Sequence, residues 1–188
     1  MWHCDYKEVL TRIQKDITSP TQGATVTSTP LTIKDMSTYQ NNNDLQCRVR
    51  KWRKYDIDYW GSYGVPVEWL KYAEVYPISH KIVISDGKKY VFNADKLAYA
   101  FVEHKEGKVT LKIYQPLSED PQYKWSNKHD RSVISLWTKV PETGKQIVIC
   151  SSLKDALCLW ANTGIPALAL QGEGYGMSAT AISELKRI

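Results

Sequence analysis

The sequence predicts a mixed α+β fold, in which an antiparallel, β-rich N-terminal subdomain precedes a partial α/β unit with parallel strands. Residues 81–116 contain strand-forming stretches around two turn signals, which is typical of β-hairpins, and residues 109–115 alternate apolar and polar side chains. Residues 146–188 read as strand, helix, strand and helix, and this order implies parallel strands joined by right-handed crossovers. Hydrophobic residues make up 43% of the 188 positions, which is enough to build a core.

The N-terminal 46 residues are predicted to contain one helix and a linker. Residues 5–17 carry apolar side chains at helical spacing, and we expect a preceding domain against which they pack. Residues 18–46 are rich in Ser, Thr, Pro, Gln and Asn, and they bury too little apolar surface to offset the entropy of ordering. Two parallel strands make too small a sheet to stand alone, so we expect the sequence to be cut at both ends.

A basic segment follows the linker and indicates an anionic partner such as nucleic acid. The formal net charge of the chain is +5, which favours the same kind of partner. The candidate binding residues in this segment are Arg48, Arg50 and Lys51, and aromatic residues are interleaved with them. Two short helices are predicted next, with a break around residues 64–66.

The β-rich region contains further candidates for binding nucleic acid or nucleotides. Asp86 and Gly87 form the turn of the first predicted hairpin, and the second hairpin turns around residues 105–108. The additional candidate donors are Lys112, Lys124, Asn127 and Lys128, the last three of which surround Trp125. Basic donors beside an aromatic ring suit single-stranded nucleic acid or nucleotide phosphates, and the alternative is a solvated basic loop around a buried tryptophan.

The turns of the parallel unit hold two candidate catalytic acids. Ser152 precedes Asp155 by three residues, which is the spacing of a helix capping box. The alternative role of Asp155 is that of a polar group at the carboxyl end of a parallel strand, where α/β sheets bind ligands. Glu173, in the Gly-rich stretch "GEGYG", follows the next strand and is either a second acid or a solvated loop residue; the stretch does not match a phosphate-binding P-loop.

The four cysteines are scattered without a C-x-x-C pair, which predicts reduced thiols in a cytosolic protein and no zinc knuckle. The start of the chain does not have the basic residues and apolar run of a signal peptide. We find no candidate membrane span in the sequence and expect no membrane partner.

Four stretches of the chain, taken in order, resemble phage-type, DnaG-like DNA primases. They are the helix at 4–16, the stretch 55–79, the strands at 99–130 with a Lys-aromatic-x-Asn signature at 124–127, and the strand-helix-strand stretch 147–174. In that family the helix follows a zinc ribbon, and the last stretch is the first half of a Toprim domain. The resemblance implies a helix trailing a missing zinc ribbon at 1–17, a linker at 18–46, an N-terminal polymerase subdomain at 47–138 and a partial Toprim domain at 139–188.

The resemblance also implies a function. The parent protein would be a nucleotidyltransferase that synthesises RNA primers on a single-stranded DNA template from nucleoside triphosphates during replication. It would use Mg²⁺ or Mn²⁺ in the intact enzyme, with zinc only in the missing ribbon, and would work with a replicative helicase in the cytoplasm of a bacterial host cell. Lys124 and Asn127 would be phosphate or base donors, and Asp155 would orient groups or water near the metal.

The turn after the first Toprim strand departs from the family pattern. The family has Glu-Gly-x-x-Asp there, and this chain aligns Ser151, Ser152 and Asp155 with the Glu, the Gly and the Asp. The family's Asp-x-Asp strand, which holds the metal ions, would lie beyond Ile188. We therefore expect this fragment to be inactive alone. The alternatives are a non-catalytic Toprim-like module that binds single-stranded nucleic acid, and an inactive fragment of a split gene.

Overall fold

The computed structural model describes residues 45–85, 87–105, 107–127, 129, 133–172 and 176–186. The chain is a mixed α+β protein with a mostly antiparallel six-stranded sheet and a small parallel sheet of two strands. The predicted helix within 1–17 lies outside the described residues, as do Lys128 and Glu173. Within the described part of the chain, no helix has the length and apolar content needed to cross a bilayer.

The described chain begins with a strand and two short helices. They are β1 (Leu45–Val49), α1 (Lys54–Gly61) and α2 (Val67–Tyr72). Strand β1 includes Leu45 and Gln46, which the sequence placed at the end of the linker. The predicted break between the helices is confirmed. Gly64 lies there with a φ of 70°, a left-handed conformation that favours glycine, and a Cβ at this position would collide with the side chain of Asn162.

Five further strands complete the antiparallel sheet. They are β2 (Val75–Ser85), β3 (Lys88–Asn93), β4 (Tyr99–Lys105), β5 (Lys108–Tyr114) and β6 (Trp125–Asn127). The strand order is β1-β2-β4-β5-β6, and β3 pairs with β2. Both predicted hairpins are confirmed, since Ser85 pairs with Lys88 and Lys105 pairs with Lys108.

Strand β2 is long enough to pair with different neighbours along its length. Its first residues, 75–77, pair with β4, and its later residues pair with β1 on one side and β3 on the other. The later half of β2 therefore forms a three-stranded arm with β1 and β3. Strand β3 lies at the outer edge of this arm.

The predicted parallel succession is also confirmed. It consists of β7 (Val148–Cys150), α3 (Leu153–Thr163), β8 (Ala167–Ala169) and α4 (Ala179–Leu185). Strands β7 and β8 run parallel, and α3 ends at Gly164, whose φ of 73° suits the left-handed residue after a helix. Ser135 bridges Ala169 in antiparallel orientation, so the segment before β7 also contacts the parallel pair.

One main hydrophobic core joins the antiparallel sheet to the parallel unit. Trp60 and Phe101 from the N-terminal part are buried together with Leu157, Leu168 and Ala181 from the C-terminal part. A second, smaller core lies around Leu45, Ile78, Ala98, Ala100 and Ile113. Because burial of large apolar side chains is the main favourable term in folding, the shared core fixes the two parts against each other.

Candidate nucleic-acid interface

Four aromatic side chains contact one another in series, and we call them the aromatic row: Trp125, Tyr114, Tyr59 and Tyr63. Trp125 stacks on Tyr114 with ring centroids 4.2 Å apart. The hydroxyls of Tyr114 and Tyr59 are 3.5 Å apart, and Tyr59 meets Tyr63 edge to face at 5.4 Å. Tyr114 is buried, and the other three rings are half-buried. Part of the ring surface of Trp125, Tyr59 and Tyr63 is therefore accessible to a ligand.

A lysine lies against each end of the aromatic row. The Lys112 Nζ is 4.5 Å from the centroid of the Trp125 ring, and the Lys154 Nζ is 3.6 Å from the centroid of the Tyr63 ring. Both distances are within the range of cation–π attraction. Lys154, which was not among the residues predicted from the sequence, lies in the first turn of α3. Aromatic rings can stack bases, and the lysines beside them can neutralise phosphates.

Lys112 connects the antiparallel sheet to the loop after β8. It extends from β5, and its Nζ donates a hydrogen bond of 2.7 Å to the backbone oxygen of Gln171. The Gln171 side chain donates to Val133 O, and its Oε1 is buried without a hydrogen-bond partner among the described residues. Burial lowers the pKa of Lys112. This contact places a cation near the carboxyl end of β8, the edge at which α/β sheets bind ligands.

Asn127 and His129 lie beside Lys112. Asn127 is the cross-strand neighbour of Lys112, and its Oδ1 accepts a hydrogen bond of 2.8 Å from the His129 N–H. The His129 Nδ1 is 2.6 Å from the Thr110 hydroxyl, and its buried Nε2 contacts no hydrogen-bond partner in the described chain. Burial, followed by the Lys112 charge, lowers the pKa of His129 to about 3. The imidazole is therefore neutral at pH 7 and adds no cation to the site.

Lys124 is brought next to the aromatic row by a short helical turn, Pro121–Lys124. Asp120 begins this turn, because its Oδ1 accepts a hydrogen bond of 2.8 Å from the Gln122 N–H. The half-buried Lys124 precedes Trp125 directly. The structure thus brings Lys112 and Asn127 of the predicted set together, and Lys124 adjoins them through the chain at Trp125.

Arg50 has a different role from the one predicted. Its guanidinium donates to both carboxylate oxygens of Asp56 and to the backbone oxygens of Ile78, Lys51 and Lys96. A guanidinium has five N–H donors, and these five bonds engage all of them. Arg50 is therefore a structural residue that ties β1 and α1 to the sheet. The sequence could not show this, because a cluster of charges does not reveal which cation has a buried partner.

The other two basic candidates of the 48–54 segment are exposed. Arg48 lies on β1 of the arm, and Lys51 lies in the stretch before α1. Trp52, next to Lys51, stacks on Tyr99 at 6.3 Å, and Tyr99 in turn stacks on Tyr59 of the aromatic row at 5.8 Å. Lys51 therefore adjoins, through the chain, a ring that connects to the aromatic row by way of Tyr99. Arg48 has no such link among the described contacts.

The turn between β7 and α3 is built as a helix cap. The Ser152 Oγ accepts a hydrogen bond of 3.3 Å from the Asp155 N–H and donates one of 2.7 Å to the Asp155 carboxylate. The Ser151 hydroxyl lies 3.4 Å from the same carboxylate oxygen. Asp155 is exposed, and a carboxylate in the first turn is also favoured by the helix dipole. These contacts favour the capping role for Asp155 over a catalytic one.

The described residues do not build a metal pair. Among them, no three or more His, Cys, Asp or Glu side chains are grouped as ion ligands. Magnesium sites in proteins need carboxylates supplemented by substrate phosphates, and the carboxylate at this turn, Asp155, already bonds two hydroxyls. We therefore derive no chemical step through a metal ion from these residues.

Comparisons of the chain with protein-family models, with curated proteins and with solved structures found no match. The primase resemblance therefore stays a prediction.

Proposed function

We propose that this chain is part of a DnaG-like DNA primase, with its parallel unit as the first half of a Toprim domain, and that the aromatic row holds single-stranded DNA. The observation that carries the proposal is the position of Lys112. This cation lies on Trp125 of the Lys-aromatic-x-Asn signature and also bonds the loop after β8. A polymerase core needs donors for template and triphosphate beside the carboxyl edge of such a sheet, and Lys112 joins these two regions.

The proposed binding combines stacking with charge neutralisation. The half-buried rings of Trp125, Tyr59 and Tyr63 offer surface on which bases stack, and buried Tyr114 supports Trp125 from behind. Lys112 and Lys154 supply positive charge at the two ends of the row. Stacking tolerates any base, so we expect affinity with little sequence preference.

A second candidate function is a non-catalytic module that binds single strands. The specific observation in its favour is the turn at Ser151, where the family pattern has a glutamate and this chain has a hydroxyl that bonds Asp155. A hydroxyl cannot supply the negative charge that Mg²⁺ requires. This module would use the same aromatic row but would bind no nucleoside triphosphate.

Single-strand binding is tested by fluorescence anisotropy with a labelled DNA oligonucleotide at several salt concentrations. Lys112→Met and Lys154→Gln should each flatten the slope of log affinity against log salt by about 0.7, the value for one phosphate of a single strand. Replacement of Lys124 and Lys128 together by alanine should flatten the slope by one to two phosphate equivalents. Lys145→Gln, which removes an exposed lysine before β7, is the matched control and should leave the slope unchanged. Unchanged slopes in all of the site variants would contradict the proposed interface.

The two functions are separated by calorimetry with a nucleoside triphosphate and Mg²⁺. A primase core should bind the triphosphate, and Lys112→Met should weaken that binding, whereas a strand-binding module should show no triphosphate binding. The 188-residue chain itself is expected to make no primers on a single-stranded template. Primer synthesis by this chain would contradict the capping role of Asp155, and Asp155 and Glu173 would then be tested as metal ligands.

A further inference from the structure

Strand β3 exposes two aromatic side chains on one face of the arm. Tyr90 is 47% exposed and Phe92 is 49% exposed, and both are large apolar groups that folding normally covers. Because side chains alternate along a strand, Tyr90 and Phe92 share one face, and Val91 lies on the other. Lys88, two residues before Tyr90, lies on the same face as the two rings.

The neighbours of these rings extend the exposed surface toward β6. Phe92 lies opposite Lys81 in the β2–β3 pairing. The Lys81 Nζ donates a hydrogen bond of 3.2 Å to the Ser126 hydroxyl and lies 5.6 Å from the centroid of the Tyr123 ring, which is 58% exposed. We call this set the strand platform: Tyr90, Phe92, Tyr123, Lys81 and Lys88.

The strand platform and the aromatic row lie on opposite faces of the antiparallel sheet. In β6, Ser126 pairs with Ile113 of the smaller core, and Trp125 pairs with Tyr114 of the row. Adjacent residues of a strand point to opposite faces, so Lys81, which reaches Ser126, belongs to the face away from Trp125. The two surfaces meet at the β6 edge of the sheet, where Tyr123 and Trp125 are two residues apart.

The charge of the arm identifies the kind of partner. Strands β1, β2 and β3 contain four basic residues, Arg48, Lys81, Lys88 and Lys89, and no Asp or Glu. Exposed rings among cations, on strands without a carboxylate, complement a polyanion with stacking bases. An uncharged protein partner would gain nothing from this excess of lysines.

We propose that the strand platform is a second contact surface for the single-stranded DNA template, which continues around the β6 edge from the aromatic row. This inference rests on the proposed function for the identity of the strand, because a template extends past the reacting nucleotides. In this arrangement Tyr90, Phe92 and Tyr123 stack bases, and Lys81 and Lys88 contact phosphates. A short single strand would occupy the aromatic row alone.

The test compares DNA oligonucleotides of about 6 and about 20 nucleotides, since one surface of this kind covers about 4–16 nucleotides. The double variant Tyr90→Ala/Phe92→Ala should lose at least about 20-fold in affinity for the long oligonucleotide, at about fivefold or more for each ring. Its affinity for the short oligonucleotide should be unchanged. The conservative variant Tyr90→Phe should bind like the original chain. Circular dichroism and the melting temperature establish that each variant is folded.

The alternation of β3 supplies matched controls. Val91→Ala removes an equally exposed apolar side chain from the other face (54% exposed) and should not affect binding. Lys88→Gln should flatten the salt dependence for the long oligonucleotide by about one phosphate, and Lys89→Gln, on the face with Val91, should not. Equal effects of Lys88→Gln and Lys89→Gln would show a diffuse charge effect and would overturn the proposal.

Three further outcomes would also overturn the proposal. The first is the same loss for both lengths of oligonucleotide, or no loss for either. The second is self-association, seen as a sedimentation coefficient that rises with protein concentration and is abolished only by Tyr90→Ala/Phe92→Ala. In that case the open edge of β3 would bind a second copy of the chain. The third is that a long RNA, but not a long DNA, gains affinity from the strand platform relative to a short oligonucleotide. Failure of the original chain to bind the short DNA would instead contradict the proposed function.

Discussion

Replacement of Glu103 by glutamine is expected to remove most of the loss of stability that this protein suffers as the pH rises from about 7 to mildly alkaline values. Glu103 is buried on β4, where it pairs across the sheet with Thr110, and its carboxylate accepts a hydrogen bond of 3.1 Å from the Leu136 N–H. Burial raises the pKa of Glu103 to about 8, and the nearby Glu74 acts in the same direction. The Leu136 hydrogen bond and Lys139 oppose this shift but do not cancel it.

The magnitude follows from the difference between the two states. In the unfolded chain Glu103 has its ordinary pKa of 4.5, so between pH 4.5 and about 8 the native state holds a proton that the unfolded state has lost. The Glu103 contribution to the free energy of unfolding therefore falls by about 1.4 kcal/mol for each pH unit in this window, and below pH 6.5 the titration of His129 opposes it. The full contribution is present below pH 4.5, and about 5 kcal/mol is lost once the pH has risen through 8.

The assay is urea unfolding of the original chain and of Glu103→Gln at pH 7, 7.5, 8 and 8.5, where His129 is mostly neutral in both the folded and the unfolded chain and does not offset the titration of Glu103. Glutamine keeps an oxygen that accepts from Leu136 N–H and does not titrate, so its stability should stay nearly constant where that of the original chain falls. Glu119→Gln, which changes an exposed acid, is the control and should follow the original chain. Parallel curves for the original chain and Glu103→Gln would refute the reasoning.

Three other substitutions have defined outcomes. Arg50→Ala leaves the buried Asp56 carboxylate without its counter-charge, and urea unfolding should show a loss of about 3–5 kcal/mol. The pKa of His129 is lower in the folded state, at about 3, than its ordinary 6.5, so stability is lost as the pH falls from 6.5 to 3. His129→Gln should therefore lose less stability on acidification, as followed by circular dichroism. Ser151→Glu places a second carboxylate beside Asp155, so it should melt at a lower temperature than Ser151→Gln without Mg²⁺ and should not restore primer synthesis. A variant that makes primers would contradict this reading of the turn.

The local elements of the fold could be predicted from the sequence because their signals are local. Each hairpin is set by two strand-forming stretches around a turn, and the pairing of Ser85 with Lys88 follows from the Asp-Gly turn between them. The succession of β7, α3 and β8 was predicted from a change of apolar period, and Gly164 marked the end of the helix. Neither signal depends on residues far along the chain.

The aromatic row could not be predicted in the same way, because its contacts join distant residues. Tyr59 and Tyr114 are 55 residues apart, and only the packing of α1 on the sheet brings their hydroxyls together. Lys154 was unmarked in the sequence, since a lysine in the first turn of a helix is an ordinary surface residue. Its position over the Tyr63 ring depends on how α3 packs against the segment after α1.

The exposure of β3 shows a different limit of sequence patterns. The three consecutive apolar residues at 90–92 would favour a strand that is buried on at least one face, and this strand is exposed on both faces. The reason is its place in the sheet: β3 lies at an edge, pairs with β2 alone among the described strands, and contributes to neither hydrophobic core. Position within a sheet is a tertiary property, and a run of apolar residues does not report it.

The geometry of the aromatic row follows from the shared core, and this determines how a ligand would bind. Lys112 extends from the antiparallel sheet and Lys154 from α3, so their separation could vary if the two parts moved independently. Buried residues from both parts pack into one core, and interiors at native packing density do not deform continuously. Lys112 also bonds Gln171 O across the boundary. The two cations are therefore held in a fixed relation before any strand arrives, and binding should require little ordering of the protein, which lowers the entropic cost of association.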